Sequence, residues 1–366
     1  MIRQNFNADW TVEKGDGNSR MNSFLGNTST KTVHFPYDAM IHEARTPDTK
    51  NGAQTGFYPG GEYIFQKRFP APQAWRGKPV SLVFEGVYQT ALVYLNGWLL
   101  TRNVNGYAEF TVEAGPYLKY GADNLLKVIA DNSLEPNSRW YTGSGIYRPV
   151  RLLVGNKVYL PQDTVRITTR EADEGFALLD VTVQVQSAST VTERVTLQQT
   201  ICREGTAVLT DRQNLLLQPG ESRTVSFRYC VDSPALWSPE DPNLYTSTMQ
   251  VLEGEEELDR EETRFGIRTL SIDVAHGVRI NGQTVKLRGA CIHHDNGILG
   301  AATLPDAEER HIRQLKEAGF NAIRSSHHPA GRALLDACDR YGMLVMDELS
   351  DVWNVRKNPY DYALYF

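Results

Sequence analysis

Cysteine is scarce in this sequence and is not arranged for metal binding or cross-linking. The chain has 366 residues and four cysteines, with no CxxC or CxxH spacing among them. Zinc fingers need ligands at such short spacings, and disulfide scaffolds need a much higher density of cysteine. We therefore expect reduced thiols at all four positions, which are Cys202, Cys230, Cys291 and Cys338.

Long apolar runs and an excess of basic residues are also missing. No uninterrupted apolar stretch approaches the length of a membrane span, and the first residues contain no apolar core of signal-peptide length. The formal net charge is −6, whereas binding to nucleic acid or to an anionic membrane requires a basic surface. These absences predict a cytoplasmic protein that binds neither nucleic acid nor membrane.

The first region, residues 1–155, is rich in short strand patterns and turn residues. The stretch from Leu82 to Leu95 combines aliphatic and aromatic residues and leads into Asn96-Gly97. That dipeptide readily adopts the positive φ angles of a tight hairpin turn. Helical periodicity is absent, so the pattern predicts a β-sandwich of jelly-roll type.

Strand patterns continue through residues 156–267. The segments VRITT, ALLDVTVQVQ, RVTLQQTIC, SRTVSFRYC and YTSTMQVLE are separated by charged turns. Their length and spacing are typical of a second, smaller β-sandwich of immunoglobulin-like size.

Strands and helices alternate in the third region, residues 268–366. Strands are predicted for VKLRGA (285–290), FNAIR (320–324) and MLVMDE (343–348). One helix is expected to begin near Thr303, with a threonine cap and an early proline, and to end at Gly319. A second helix is expected from Arg332 to Tyr341. This order implies parallel strands joined by right-handed crossovers, the arrangement of an α/β barrel.

Polar residues follow each of the three predicted parallel strands. They are His293, His294 and Asp295, then Arg324, Ser325, Ser326, His327 and His328, then Asp347 and Glu348. In a closed barrel all these strand ends meet at one rim, where active sites are built. Each residue also has a structural interpretation, as a loop hydrogen bond, an ion pair or a turn cap. Their coincidence at all three strands favours a functional site.

A metal site is the alternative interpretation of this rim. Imidazoles and Asp295 are ligands suited to zinc. However, adjacent histidines in an extended chain point in opposite directions, and the helical HExxH spacing is absent. We therefore expect a site without a metal or other cofactor.

Several segments together resemble glycoside hydrolase family 2, the family of β-galactosidases and β-glucuronidases. NAIRSSHHPAGRALLDACDRYGMLVMDE is similar to the signature of its barrel, with His328 where the family usually has tyrosine. LRGACIHHD resembles its first barrel strand, LWSPEDPNLY and FGIR its middle domain, and RWYTGSGIYRPVRL the end of its sugar-binding jelly roll. The resemblance implies a jelly roll at 1–155, an immunoglobulin-like sandwich at 156–267, and the first three βα units of a (β/α)8 TIM barrel at 268–366.

The resemblance also implies which residues contact a sugar. Arg324 corresponds to the family's arginine beside the nucleophile. His293 and His327 match positions that contact sugar hydroxyls, and Asp347 lies where the family lines the same pocket. The full set of implied substrate-binding residues is His293, Asp295, Arg324, His327, Asp347, Glu348, Arg139, Trp140 and Trp353. Trp140 and Trp353 are candidates for stacking on a sugar ring, with core packing as the alternative for each.

The family hydrolyses terminal β-glycosides with retention, using two glutamates about 5 Å apart. In the family both glutamates lie on later barrel strands, the first within an Asn-Glu pair, and this sequence contains no such pair. The acid/base and the nucleophile are therefore expected beyond Phe366, the last residue of this sequence. We expect an incomplete barrel that lacks both catalytic glutamates and is inactive alone.

A retaining β-glycosidase present as its N-terminal portion is the favoured function. A non-catalytic carbohydrate-binding protein and a metal-dependent barrel hydrolase are the alternatives.

The sugar, the metal and the oligomeric state are less well defined. A β-galactoside is favoured because galactosidases often place an acid in the jelly-roll loop, where Glu135 is a candidate. Some family members bind a divalent ion through a Glu-x-His sequence after the third barrel strand, but LSDVWN lacks it. The expected partners are a β-linked saccharide and either further copies of the chain or the remaining barrel segment.

Overall fold

The computed structural model describes residues 1–15, 30–352 and 354–361. Within the described part, β-strands dominate and the α-helices are confined to residues after 304. Neither of these helices is long and apolar enough to cross a membrane.

Two predictions from the sequence fall on residues outside the described part. One is the stacking of Trp353 on a sugar ring. The other is the position of both catalytic glutamates, which are expected beyond Phe366. Residues 362–366 are not described either. Both stay predictions.

The first region folds into two antiparallel sheets. In chain order its strands are β1 (Ile2–Asn5), β2 (Trp10–Lys14), β3 (Lys31–Val33), β4 (Gly61–Ala71), β5 (Val80–Phe84), β6 (Thr90–Leu95), β7 (Trp98–Asn103), β8 (Phe110–Glu113), β9 (Ala122–Asn132) and β10 (Val150–Val154). The 4-stranded sheet has the order β1-β10-β5-β8, and the 6-stranded sheet has the order β3-β2-β4-β9-β6-β7. Apolar side chains from both sheets, among them Trp10, Phe65 and Phe84, form one core. The predicted β-sandwich is confirmed.

Local sequence explains the turn between β6 and β7. Asn96 and Gly97 have φ angles of 53° and 90°, as the hairpin prediction requires. The stretch from Leu82 to Leu95 contributes to β5 and β6, which belong to different sheets. Alternation of apolar side chains therefore predicts strands here but does not reveal where the chain changes sheets.

The middle region is a second β-sandwich, as predicted. Its strands are β11 (Val158–Tyr159), β12 (Arg166–Ala172), β13 (Phe176–Ser187), β14 (Glu193–Arg203), β15 (Thr206–Leu217), β16 (Ser222–Asp232), β17 (Tyr245–Glu253) and β18 (Glu256–Phe265). One sheet has the order β11-β13-β12 with β16 also paired to β13, and the other has the order β15-β14-β17-β18. The sequence patterns missed β15 and β18, which lie at the two edges of their sheet. Most side chains of β15 and half of those of β18 are exposed.

The third region begins with a small antiparallel sheet and continues with a parallel one. Its strands are β19 (Leu270–Asp273), β20 (Gly277–Ile280), β21 (Gln283–Thr284), β22 (Gly289–Ile292), β23 (Ala322–Ser325) and β24 (Leu344–Met346), and its helices are α1 (Pro305–Glu317) and α2 (Arg332–Tyr341). The strands β22, β23 and β24 pair in parallel, in chain order. Short 3-10 helices occur at Met40–His42, Gly52–Thr55, Gln73–Trp75, Gly115–Tyr117 and Gly297–Leu299. The prediction of a partial α/β barrel is confirmed.

Two local predictions in this region were wrong. The first barrel strand is Gly289–Ile292, not 285–290, because the Asn321 side chain bonds to the backbone at Lys286 and Arg288 before the strand begins. Thr303 does not cap α1, since its hydroxyl donates to the Ala301 carbonyl and Leu304 occupies the cap position. The end of α1 near Gly319 and the whole of α2 are as predicted.

The parallel sheet and its helices enclose their own small core. Ile292, Ile312, Ile323 and Leu334 bury their side chains there. Because the strands are parallel, their carboxyl ends lie along one edge, and the loops after β22 and β23 meet the jelly roll at that edge. The predicted boundaries at residues 155 and 267 stay predictions.

Candidate substrate site at the barrel rim

The two pairs of adjacent histidines divide between the rim and the space beneath it. The ring of His293 lies flat on Trp140, with 5.2 Å between ring centres and 6° between planes. The ring of His327 lies 6.0 Å from that of His293. His294 and His328 instead contact Tyr107, on the jelly-roll side. In each pair the first ring faces the rim and the second faces the jelly roll. At His327 and His328 the chain turns and is not extended, so strand alternation does not explain the split there.

A charged group completes the rim next to His327. Arg324 Nε donates to Glu348 Oε1 at 2.6 Å, and His327 Nδ1 donates to Glu348 Oε2 at 2.8 Å. Burial, the largest influence, would raise the pKa of Glu348, but hydrogen bonds from Arg324 and His327 outweigh it and hold the pKa below its usual value. Glu348 is therefore an ionised carboxylate that orients two side chains, not a proton donor.

The jelly roll places one loop over this rim. Within it, Trp140 donates its Nε1–H to the Tyr107 hydroxyl at 3.1 Å and is 8 % exposed. Arg139 Nη2 donates to Asp351 Oδ1 at 2.6 Å, in the loop after β24. One face of the Trp140 indole is thus covered by His293, and its role in sugar stacking stays a prediction.

A buried carboxylate that sequence patterns did not reveal holds the loop after β22 against the jelly roll. Asp38 accepts hydrogen bonds from the backbone N–H groups of Met40, Ser144 and Ala301 and from the Tyr141 hydroxyl, at 3.0, 3.0, 2.9 and 2.6 Å. It is 2 % exposed. In the sequence, Asp38 is a lone acid between Tyr37 and Ala39, and no local motif marks it.

Other predicted residues lie at or near the rim with different contacts. Asp347 Oδ1 accepts the backbone N–H of Ala330 at 2.9 Å, so it supports the loop that carries His327. The charge of Asp295 acts on Tyr141, Glu308 and His311, and it is not among the main influences on the pKa values of Arg324 and Glu348 at the rim.

Glu135, the candidate acid of the jelly-roll loop, is engaged within the jelly roll. Its Oε1 accepts from Gly60 N and Asn51 Nδ2, both at 2.8 Å. Residue type alone did not distinguish Asp347 and Glu135, which hold loops in place, from Glu348, which contacts the rim side chains.

Cys291 is an exposed thiol on β22, directly opposite Arg324 on β23. Hydrogen bonds from Ser326 and then Arg324 lower the pKa of this thiol. In the described part of the chain, no group of three or more histidine, cysteine or acidic side chains is placed to hold a metal ion. The rim thus offers imidazole, guanidinium, carboxylate and indole groups, which suit a polyhydroxylated ligand.

Comparisons with known proteins match the chain to the domains of one enzyme family. Three family models match successive parts of the chain: "Glycosyl hydrolase 2 galactose-binding domain-like" at residues 10–176, "Glycosyl hydrolases family 2" at 158–268, and "Glycosyl hydrolases family 2, TIM barrel domain" at 274–359. The chain is 38% identical over 365 residues to the beta-galactosidase BoGH2A of Bacteroides ovatus, covering 100% of this chain and 43% of that protein. It is 26% identical over 400 residues to a beta-glucuronidase of Formosa agariphila, covering 99% of this chain and 40% of that protein.

The solved structures agree with the sequence comparisons. A glycosyl hydrolase family 2 member from Bacteroides cellulosilyticus superimposes with a TM-score of 0.95 at 35% identity, covering 100% of this chain and 48% of that one. The chain therefore spans less than half the length of each of these three relatives.

Proposed function

The chain belongs to glycosyl hydrolase family 2, and from this premise we propose that its rim cluster binds the terminal sugar of a β-galactoside that is hydrolysed with retention. The observation that carries the proposal is the contact of His293, His327, Arg324, Glu348 and Trp140 at one edge of the parallel sheet. These side chains come from three barrel loops, one barrel strand and the jelly roll. Such convergence of polar groups at strand ends is typical of barrel active sites.

The hydrogen bonds at the rim leave groups free to contact sugar hydroxyls. His293 Nδ1 lies 2.6 Å from the Ser326 carbonyl oxygen and therefore carries the proton, which makes Nε2 an acceptor in the neutral ring. His327 Nδ1 lies 2.8 Å from Glu348 Oε2 and 3.2 Å from Arg324 Nη2. The shorter contact is to a carboxylate oxygen, which can only accept, so we assign the proton to Nδ1, and Nε2 is then an acceptor. Two acceptors on neighbouring rings suit the O–H groups of one sugar.

Charge pairing at the rim favours a neutral sugar over a uronic acid. Arg324 is paired with Glu348, and Arg139 is paired with Asp351. Lys357 is also paired with Asp351, at 2.8 Å. A glucuronate carboxylate would have to compete with a carboxylate already present for each of these three cations.

The rim carboxylates support binding and not bond cleavage. Glu348 is held by Arg324 and His327, and Asp347 by a backbone N–H. A retaining mechanism needs one carboxyl group that protonates the leaving group and a second that attacks the anomeric carbon, about 5 Å away. We propose that both come from barrel strands that follow Phe366 and complete the barrel, and that the residues of this chain bind and orient the sugar.

A panel of nitrophenyl glycosides tested on the product of the complete reading frame examines this proposal. We expect hydrolysis of the β-galactoside, with the β-anomer of galactose detected first by proton NMR. Arg324→Gln should lower kcat/KM, whereas Arg170→Gln, a surface arginine of the second sandwich, should not. Preferential hydrolysis of the glucuronide would contradict the galactoside assignment, and initial release of the α-anomer would contradict retention. Saccharide binding without any hydrolysis would favour a non-catalytic carbohydrate-binding protein.

A further inference from the structure

The second histidine of each pair, His294 and His328, meets Arg148 in a cavity beneath the rim. These residues are 7 %, 2 % and 3 % exposed, respectively. The two imidazole rings lie 4.8 Å apart and are nearly perpendicular, at 86°. Arg148 comes from the jelly roll, just before β10, while the histidines come from the loops after β22 and β23. The cavity thus lies where three chain segments join.

The hydrogen bonds of each histidine define its tautomer. His294 Nε2 lies 2.9 Å from the Thr142 carbonyl oxygen, so Nε2 carries the proton and Nδ1 has a free lone pair. His328 Nδ1 lies 3.2 Å from the Pro329 carbonyl oxygen, so its Nε2 has the free lone pair. Burial lowers the pKa of His294 to about 3 and the pKa of His328 well below its usual value, which keeps both rings neutral.

Arg148 brings the complementary hydrogen-bond donor to the same place. Its Nη1 donates to the Tyr107 carbonyl at 2.7 Å, and its Nη2 donates to the Pro329 carbonyl at 3.0 Å. Among the described residues, Arg148 Nε, His294 Nδ1 and His328 Nε2 have no hydrogen-bond partner. All three residues line one cavity of about 10 Å³, which is the room that the centre of one water molecule needs.

We propose that a single ordered water molecule occupies this cavity and joins the jelly roll to the two barrel loops. The water accepts the N–H of Arg148 Nε and donates its two protons to His294 Nδ1 and His328 Nε2. Each partner then has its hydrogen bond, and the water makes the three bonds that are usual for buried water. The hydrogen bonds of this water to Arg148, His294 and His328 hold the two histidines in position. Through the backbone they also hold the neighbouring His293 and His327 at the rim.

A zinc ion is the competing occupant, because two imidazole nitrogens and the Glu308 carboxyl group line the same cavity. Two contacts argue against it. The guanidinium of Arg148 would repel a cation, and its N–H needs an acceptor. Glu308 Oε1 already accepts from Asn296 Nδ2 at 2.7 Å. The donor and acceptor pattern therefore matches water and not a metal.

A crystal structure of this chain at about 1.5 Å resolution tests the proposal. We expect a density peak within about 2.7–3.2 Å of Arg148 Nε, His294 Nδ1 and His328 Nε2, with no anomalous signal at the zinc edge. No peak there would overturn the proposal. A peak with an anomalous signal at about 2.0–2.1 Å from the imidazole nitrogens would also overturn it, in favour of zinc.

A solution measurement on the unmodified chain provides a second test. With 15N-labelled histidine, NMR should show His294 protonated only at Nε2 and His328 only at Nδ1 at neutral pH, and the opposite tautomer at either ring would contradict the proposal. His328→Phe removes one acceptor, so its crystal structure should lose the peak, whereas His276→Phe, an exposed ring far from the rim, should keep it. A peak that persists unchanged in His328→Phe would also count against the three-bond arrangement.

Discussion

Replacing Asp38 by asparagine tests whether one buried carboxylate holds the loop after β22 in place. Asp38 Oδ1 accepts from Met40 N and Ser144 N, while Oδ2 accepts from Ala301 N and the Tyr141 hydroxyl. Asparagine can keep the first two bonds with its carbonyl oxygen. Its amide group then faces the other two donors.

The expected loss follows from these contacts. The Tyr141 hydroxyl can turn and accept from the new amide, but the buried N–H of Ala301 faces another donor. An unsatisfied buried donor costs about 1–3 kcal/mol. Asp38→Ala removes all four acceptor contacts and should cost more, on the order of 4 kcal/mol or above.

Amide hydrogen exchange measures this loss at the residue concerned. If Ala301 exchanges through local opening, a loss of about 1–3 kcal/mol raises its rate about 5- to 150-fold in Asp38→Asn. The matched control is Asp173→Asn, where an exposed carboxylate accepts from Gly175 N and Phe176 N. Water can replace those bonds, so the control should change stability by less than about 0.5 kcal/mol.

Two outcomes would refute the reasoning about Asp38. One is unchanged exchange at Ala301 in Asp38→Asn. The other is a loss of stability in Asp173→Asn as large as that in Asp38→Asn. Burial would then not be the reason why the Asp38 hydrogen bonds are costly to lose.

Three further predictions concern the rim and its loops. The pKa of Glu348 is depressed, so its ion pair stabilises the fold above the unfolded pKa of about 4.3, and this stabilisation is lost as pH falls through the folded pKa. The difference in thermal midpoint between the wild type and Glu348→Gln should therefore be larger at pH 7 than at acidic pH, and a pH-independent difference would contradict this. Cys291, an exposed thiol with a lowered pKa, should react with iodoacetamide before buried Cys338, whose pKa burial raises, and mass spectrometry showing the reverse order would contradict it. Gly300→Ala places a Cβ against the Asp38 carboxylate at φ +61°, and backbone strain alone should lower stability by about 1–3 kcal/mol. Gly297→Ala, at φ +59° with nothing within 4 Å of its Cβ, carries the strain without the contact and should cost less. Equal thermal midpoints for the two variants would show that the Asp38 contact adds nothing.

Sequence patterns predicted secondary structure best where the signal is local. The Asn96-Gly97 hairpin and the helix Arg332–Tyr341 follow from turn chemistry and from a 3.6-residue apolar period, and both are confirmed. The start of β22 was predicted four residues too early, because VKLRGA has strand-like residues but its backbone is tied to the Asn321 side chain. That contact joins residues more than 30 positions apart, which no local pattern can show.

The candidate site shows the same division between local and tertiary information. Alternation along an extended chain predicted that adjacent histidines point in opposite directions, and His293 and His294 do so. It did not predict which ring faces the rim. Likewise, the Asp347-Glu348 pair was visible in the sequence, but only the fold shows that Glu348 contacts Arg324 and His327 while Asp347 supports a loop.

The sequence by itself determined the succession of two β-sandwiches and a parallel sheet with two helices, because these depend on periodicity and on turn residues within short windows. Only the tertiary structure decided which polar groups face a ligand and which hold the jelly roll to the barrel. The physical reason is that Asp38, Arg148, His294 and His328 each have at least one partner 100 or more positions away in the chain, which no local pattern can show.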